Sequence, residues 1–191
     1  MHAVRSARNV RTARNVRYCA GFTLAEVLVA LFVVALGIAG AAGVQALALR
    51  SGRDAARTAD GVQLAAALAE RMHANPTAMA LADGANPYLH FDYDALADGP
   101  LPGADCFGSE CSVAELAQCD LSETAHELAA RFPGGRILAC RDASALDAAG
   151  LPSWSCDGQP GAPVVIKLGW REPGETAAWP RVLLPVAGGG A

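Results

Sequence analysis

The residues best suited to chemistry lie together between Gly21 and Glu26, in the stretch Gly-Phe-Thr-Leu-Ala-Glu. Five arginines and no acidic residue precede this junction, and a long apolar run follows it. Hydrolysis of the peptide bond between Gly21 and Phe22 would remove the basic leader, keep the apolar segment and leave a new amine on Phe22. An ordinary secretory signal is instead cut after its apolar segment and loses it. The order of these features predicts a mature chain that begins inside the membrane.

Glu26 is the residue for which the sequence makes the strongest functional case. A carboxylate near the start of a membrane helix is costly in lipid unless it is paired. In a helical assembly, Glu26 of one subunit could meet the Phe22 amine of a neighbour, and a low dielectric would favour docking in the correct register. The alternative is a carboxylate that reaches the membrane interface without a partner. Glycine at position 21 is expected for a different reason, since a residue without Cβ lets a peptidase approach the backbone closely.

A membrane helix is predicted over residues 22–49. Within it, residues 27–44 are 18 consecutive uncharged and mostly apolar residues, and the apolar residues on both sides make the segment long enough to span a bilayer. Positive charge tends to remain cytoplasmic, so the leader, residues 1–21, should keep the N-terminus inside and send the rest of the chain outside. Two alternatives are a conventional signal peptide cut after Ala46-Leu47-Ala48 and an uncleaved signal anchor.

Two kinds of packing surface are predicted along the helix. In the membrane half, Gly37, Gly40 and Gly43 form a small-residue stripe that would let neighbouring helices approach closely. Residues 50–75 form an amphipathic continuation whose apolar face should pack on the rest of the chain. The predicted members of this face are Ala55, Ala59, Val62, Ala66, Leu68, Ala69 and Met72. Asn75-Pro76 should end the helix, because the residue before proline avoids the α region.

Residues 76–187, called the head below, should form an α+β domain. Residues 76–111 are rich in proline and are predicted to be loop, whereas Ser112 begins a helix with a capping box to Glu115. Strands are expected at residues 136–140, 164–171 and 181–186, the last at a sheet edge because it contains Pro185. The predicted fold is therefore α+β, a long N-terminal helix packed on a small antiparallel sheet. Residues 188–191 are expected to be a disordered tail.

The cysteines point to disulfides in an oxidising compartment. Cys19 lies in the leader, and the other five lie after residue 105. Cys106 and Cys111 enclose a tight loop, and Cys140 and Cys156 could join the two sides of the loop between two strands. This pairing leaves Cys119 free, but five cysteines allow several other pairings. A zinc site is a further option, disfavoured because no C-x-x-C pair occurs.

Composition narrows the classes of function. The net charge is −4, and loss of the five leader arginines lowers it by five to −9. An acidic chain is poorly suited to direct nucleic-acid binding. The motifs G-x-S-x-G and H-E-x-x-H and a phosphate-binding loop do not occur in the sequence. We therefore expect no enzymatic activity, no cofactor and no metal.

The stretch from Gly21 to Leu31, with its basic leader and apolar helix, resembles the class III leader junction of type IV prepilins and type II secretion pseudopilins. The resemblance implies a type IV pilin-like fold and cleavage between Gly21 and Phe22 by a prepilin peptidase. It also implies N-methylation of Phe22. Glu26 would then be the carboxylate that the family carries at the fifth position of the mature chain.

Four later segments resemble PilV-type minor pilins, namely residues 69–76, 106–121, 133–143 and 164–172. Cys119 departs from that pattern as an additional thiol. The resemblance implies assembly into a type IV pilus with other minor pilins and the major pilin, and a pilus-tip adhesin is a further candidate partner. It places the precursor in inner-membrane lipid as a single-pass protein with a cytoplasmic N-terminus and a periplasmic head. Alternatives are a minor pseudopilin of the I type and a membrane-anchored extracytoplasmic binding module.

Overall fold

The computed structural model describes residues 21–103, 106, 108, 110–172 and 174–187, in two compact units divided after Leu49. The predicted leader, apart from Gly21, and the predicted disordered tail at residues 188–191 lie outside the described residues. The element order is one long helix, a short irregular region with one strand, a second long helix and three further strands.

Helix α1 spans Leu24–Ala74 and is the long helix that the sequence predicts. It ends where Asn75-Pro76 was expected to end it. The Asn75 side chain accepts a hydrogen bond from the Ala78 N–H, and Pro76 opens the short helix α2, Pro76–Met79. In the first unit every residue from Gly21 to Leu49 is exposed. By length and apolar composition, α1 can cross a membrane.

The apolar face predicted for the second half of α1 is wrong in part. Ala55, Ala59 and Val62 are exposed. The buried residues of α1 are Gly61, Leu64, Ala65, Leu68, Ala69 and Met72. Alanine occurs on all sides of this helix, so its spacing carries little information. The face is set instead by the leucines and by Gly61, because a Cβ there would lie 3.0 Å from the Trp170 ring.

The first part of the predicted loop, residues 76–94, is more regular than expected. Besides α2, they form two 3-10 turns, Asp83–Ala85 and Pro87–His90, and the short strand β1, Asp92–Asp94. Little in the sequence indicates β1, since this strand has three residues and two of them are aspartates. Its position comes from pairing, with Tyr93 opposite Ile137 on the next strand.

Helix α3 spans Val113–Arg131 and begins with the predicted capping box between Ser112 and Glu115, which is confirmed. The hydrogen bonds from the Ser112 side chain and backbone lower the pKa of Glu115. The helix buries Leu128 and is followed by buried Phe132, whose ring centroid lies 5.2 Å from that of Trp170.

Strands β2, Arg136–Arg141, β3, Val164–Trp170, and β4, Trp179–Val186, complete an antiparallel sheet in the order β1-β2-β3-β4. The last strand lies at the edge, as its proline predicts. The sheet packs on the second half of α1, where Gly61 faces Leu168, Trp170 and Val182. This is the predicted α+β fold.

All seven residues of β3 are buried, including Lys167. The loop between β2 and β3, residues 142–163, accounts for this burial. The Lys167 Nζ lies 2.5 Å from Asp142 Oδ2, donates to the Ser153 carbonyl at 2.8 Å and donates also to the Ser155 carbonyl. Beside it, Trp154 stacks under the Arg136 guanidinium at 4.8 Å. Charged groups thus fix the loop over the sheet.

Candidate functional site

The junction at the start of α1 is built around a capping box that the sequence analysis overlooked. The Thr23 hydroxyl accepts a hydrogen bond from the Glu26 N–H at 3.3 Å. In return, Glu26 Oε2 accepts from the Thr23 N–H at 2.8 Å and from the Thr23 hydroxyl at 3.0 Å. The sequence contains the pattern that indicates this box, because Thr23-Leu24-Ala25-Glu26 has the same S/T-x-x-E spacing as the box at Ser112.

This arrangement gives the two carboxylate oxygens of Glu26 different roles. Oε2 receives both hydrogen bonds from Thr23, whereas Oε1 has no hydrogen-bond partner in the described part of the chain. The cap therefore fixes the side chain at the first turn and leaves one oxygen for another donor. The carboxylate lies in an apolar groove of about 450 Å³ that Phe22, Val27, Ala30, Leu31 and Val34 complete.

The bond between Gly21 and Phe22 precedes the helix and lies on an exposed stretch of chain. Phe22 is 88% exposed, and α1 starts two residues after it. A Cβ placed on Gly21 meets no atom of the described residues within 4 Å. The fold itself therefore does not require glycine at this position. Glycine is likewise not required by the fold at Gly37, Gly40 and Gly43, where an added Cβ meets no described atom within 4 Å.

The structure forms two disulfides, Cys106–Cys111 and Cys140–Cys156, with Cα–Cα distances of 5.7 and 6.3 Å. These are the pairs that the sequence analysis favoured. The second joins the end of β2 to the loop that covers Lys167. Cys119 on α3 keeps a free thiol. Among the residues that the structure describes, no group of three or more His, Cys, Asp and Glu could hold a metal ion.

The chain matches the family model described as the prokaryotic N-terminal methylation motif over residues 16–42. The match contains Gly21, Phe22 and Glu26, the Thr23 cap and the first part of α1. No curated protein and no solved structure matches the chain. The motif implies processing by a prepilin peptidase and assembly with other pilins, and the long apolar helix fits a single-pass inner-membrane anchor. Motif, helix and sheet together support a type IV pilin-like prepilin of a pilus or secretion assembly.

Proposed function

We propose that this chain is a minor pilin of the PilV type. Prepilin peptidase cuts it between Gly21 and Phe22, Phe22 is methylated, and the subunit takes part in starting or building a type IV pilus. The observation that carries the proposal is the methylation motif at residues 16–42. It contains the start of α1, where Glu26 keeps one carboxylate oxygen unpaired in the described chain.

Processing would act on an accessible bond. The Gly21–Phe22 bond lies outside α1, so the peptidase need not unwind a helix to reach it. Glycine there would serve the enzyme, since no contact among the described residues needs it. We expect that a bulky residue in place of Gly21 leaves the leader attached to an otherwise folded protein.

Assembly would use the unpaired oxygen of Glu26. Cleavage creates a positive amine on Phe22, and that amine on a neighbouring subunit can donate to Oε1 while Thr23 continues to hold Oε2. Such a pair is stronger in a low dielectric than in water, so it favours helices that dock in the correct register. Gly37, Gly40 and Gly43 would let those helices approach closely.

The remaining features fit this role. The five leader arginines favour a cytoplasmic N-terminus in the inner membrane, and two disulfides suit a periplasmic head. The partners would be prepilin peptidase, the major pilin, other minor pilins and a pilus-tip adhesin. A minor pseudopilin of a type II secretion system carries the same motif. We disfavour this alternative because type II secretion pseudopilins that resemble this chain are usually shorter and lack its cysteine-rich insertion.

The experiment compares Glu26→Gln and Glu26→Ala with Thr23→Ala in cells that make the full chain. Glutamine can still accept the Thr23 N–H in a capping box but carries no charge. We expect all three variants to be cleaved, and only the two Glu26 variants to be depleted from sheared pili. Thr23→Ala keeps the charge and should be incorporated. Normal incorporation of Glu26→Gln would show that the charge has no docking role.

A further inference from the structure

A cavity of about 510 Å³ opens on the head beside the turn that follows α3. Pro133 and Gly134 form one side of it, and the exposed side chain of Leu96 adds an apolar wall. The segment that follows β3 supplies Arg171 and two glutamates. The cavity thus combines an apolar surface with a small set of charges.

Both glutamates are already satisfied. Glu172 accepts from Arg57 Nη1 at 3.1 and 3.2 Å and from the Trp170 indole N–H at 2.7 Å. Glu175 accepts from Arg181 Nη2 at 3.0 and 2.8 Å and from the Glu172 N–H at 2.8 Å. The hydrogen bond from the Glu172 N–H lowers the pKa of Glu175, and the Arg181 guanidinium lowers it further. Neither carboxylate needs a further cation.

Arg171 is the cation of this cavity that lacks a carboxylate. Its Nη1 donates to the Thr176 carbonyl at 3.3 Å, and it forms no ion pair with any residue that the structure describes. The guanidinium lies against Gly134, which has a positive φ of 59°. A Cβ at Gly134 would lie 2.6 Å from Arg171 Nε, so the glycine is what lets the guanidinium lie there.

We propose that Arg171 receives an aspartate or glutamate side chain of a neighbouring pilin-type subunit, an inference that rests on the proposed function. A guanidinium with unused N–H donors suits a carboxylate, which it can bind through two parallel hydrogen bonds. The apolar wall at Leu96 reduces the screening of that pair. Charge complementarity favours a carboxylate as the partner, because the mature chain is acidic. The chain also exposes carboxylates, such as that of Glu70, that form no ion pair among the described residues.

The test uses the fact that Lys167 is the only lysine of the chain and is fully buried. Arg171→Lys therefore introduces the one accessible side-chain amine. A water-soluble carbodiimide activates a carboxylate, and an adjacent amine displaces the urea to form an amide. The full-length variant is treated in membranes and in sheared fibres, and the joined peptides are sequenced by mass spectrometry. Gln159→Lys, on the exposed loop that covers the sheet, is the matched control.

The expected result is a product in which residue 171 is joined to an aspartate or glutamate of another subunit, absent from the Gln159→Lys sample. Arg171→Glu should lower incorporation into fibres by about tenfold or more, because like charges then face each other. Equal unfolding temperatures of the variants would verify the fold.

The inference is overturned if neither membranes nor fibres give an inter-subunit product. It is equally overturned if residue 171 is joined only to Glu172 or Glu175 of its own chain, or if Gln159→Lys reacts as well. Sequencing the N-terminus of the same samples separates the two proposals. If the fibres contain chains that begin at Phe22 but no inter-subunit cross-link, only the Arg171 inference is contradicted. If the chains keep their leader, the proposed function is contradicted.

Discussion

Replacing Lys167 by methionine should destabilise the head, although the two side chains have similar lengths and methionine suits an apolar site. The Lys167 ammonium is fully buried and lies 2.5 Å from Asp142, which is only 2% exposed. It also donates to the Ser153 and Ser155 carbonyls. The substitution removes all three interactions and leaves a carboxylate inside the protein without its cation.

The magnitude follows from the burial of both partners. Breaking a buried ion pair by deleting one member costs about 3–5 kcal/mol, because the other charge stays uncompensated. Asp142→Asn should cost less, about 1.5–3 kcal/mol, since Lys167 keeps its two carbonyl acceptors. The double variant Lys167→Met with Asp142→Asn should lose less than the sum of the two single variants, because it leaves no buried charge unpaired.

The assay is denaturant unfolding of the full-length protein in detergent, followed by the fluorescence of the head tryptophans. Arg53→Met, at an exposed position of α1, is the control and should change the free energy of unfolding by no more than about 0.5 kcal/mol. The reasoning fails if Lys167→Met costs less than about 1 kcal/mol. It fails also if the two single substitutions add within about 0.5 kcal/mol.

Three further outcomes are expected. Gly61→Val should lower the free energy of unfolding by about 1–3 kcal/mol, because its side chain would collide with the Trp170 ring, whereas Gly52→Val on the open side of α1 should not. Removing Cys140–Cys156, which closes a loop of 16 residues, should cost about 3 kcal/mol in the same unfolding assay. The pKa of Glu115 is lowered in the folded state, so its stabilisation is complete above its ordinary value of 4.5 and is lost as pH falls through the folded pKa. The stability difference between the wild type and Ser112→Ala should therefore shrink in acid.

Elements with a strong local signal could be predicted from the sequence. The end of α1 at Asn75-Pro76, the capping box at Ser112 and the edge strand with Pro185 depend on a few neighbouring residues, and all three are present. The box at Thr23 has the same local signal. The prediction for Glu26 omits this cap, because a lone carboxylate in an apolar helix suggests a distant partner rather than a near one.

Features that depend on tertiary contacts could not be predicted in this way. Strand β1 exists because β2 pairs with it, not because its own residues favour a strand. The buried face of α1 is set by Trp170 approaching Gly61, more than a hundred residues away. Lys167 is buried because a disulfide-closed loop folds over β3, and no periodicity within the strand reports that cover.

Mass spectrometry of the mature N-terminus, on protein recovered from sheared pili, tests the central claim most directly. The account predicts a first residue of N-methylated Phe22, with Glu26 retained four residues later. A chain that begins at Met1, or one that begins after Ala48, would contradict it, since the first keeps the leader and the second loses the apolar half of α1.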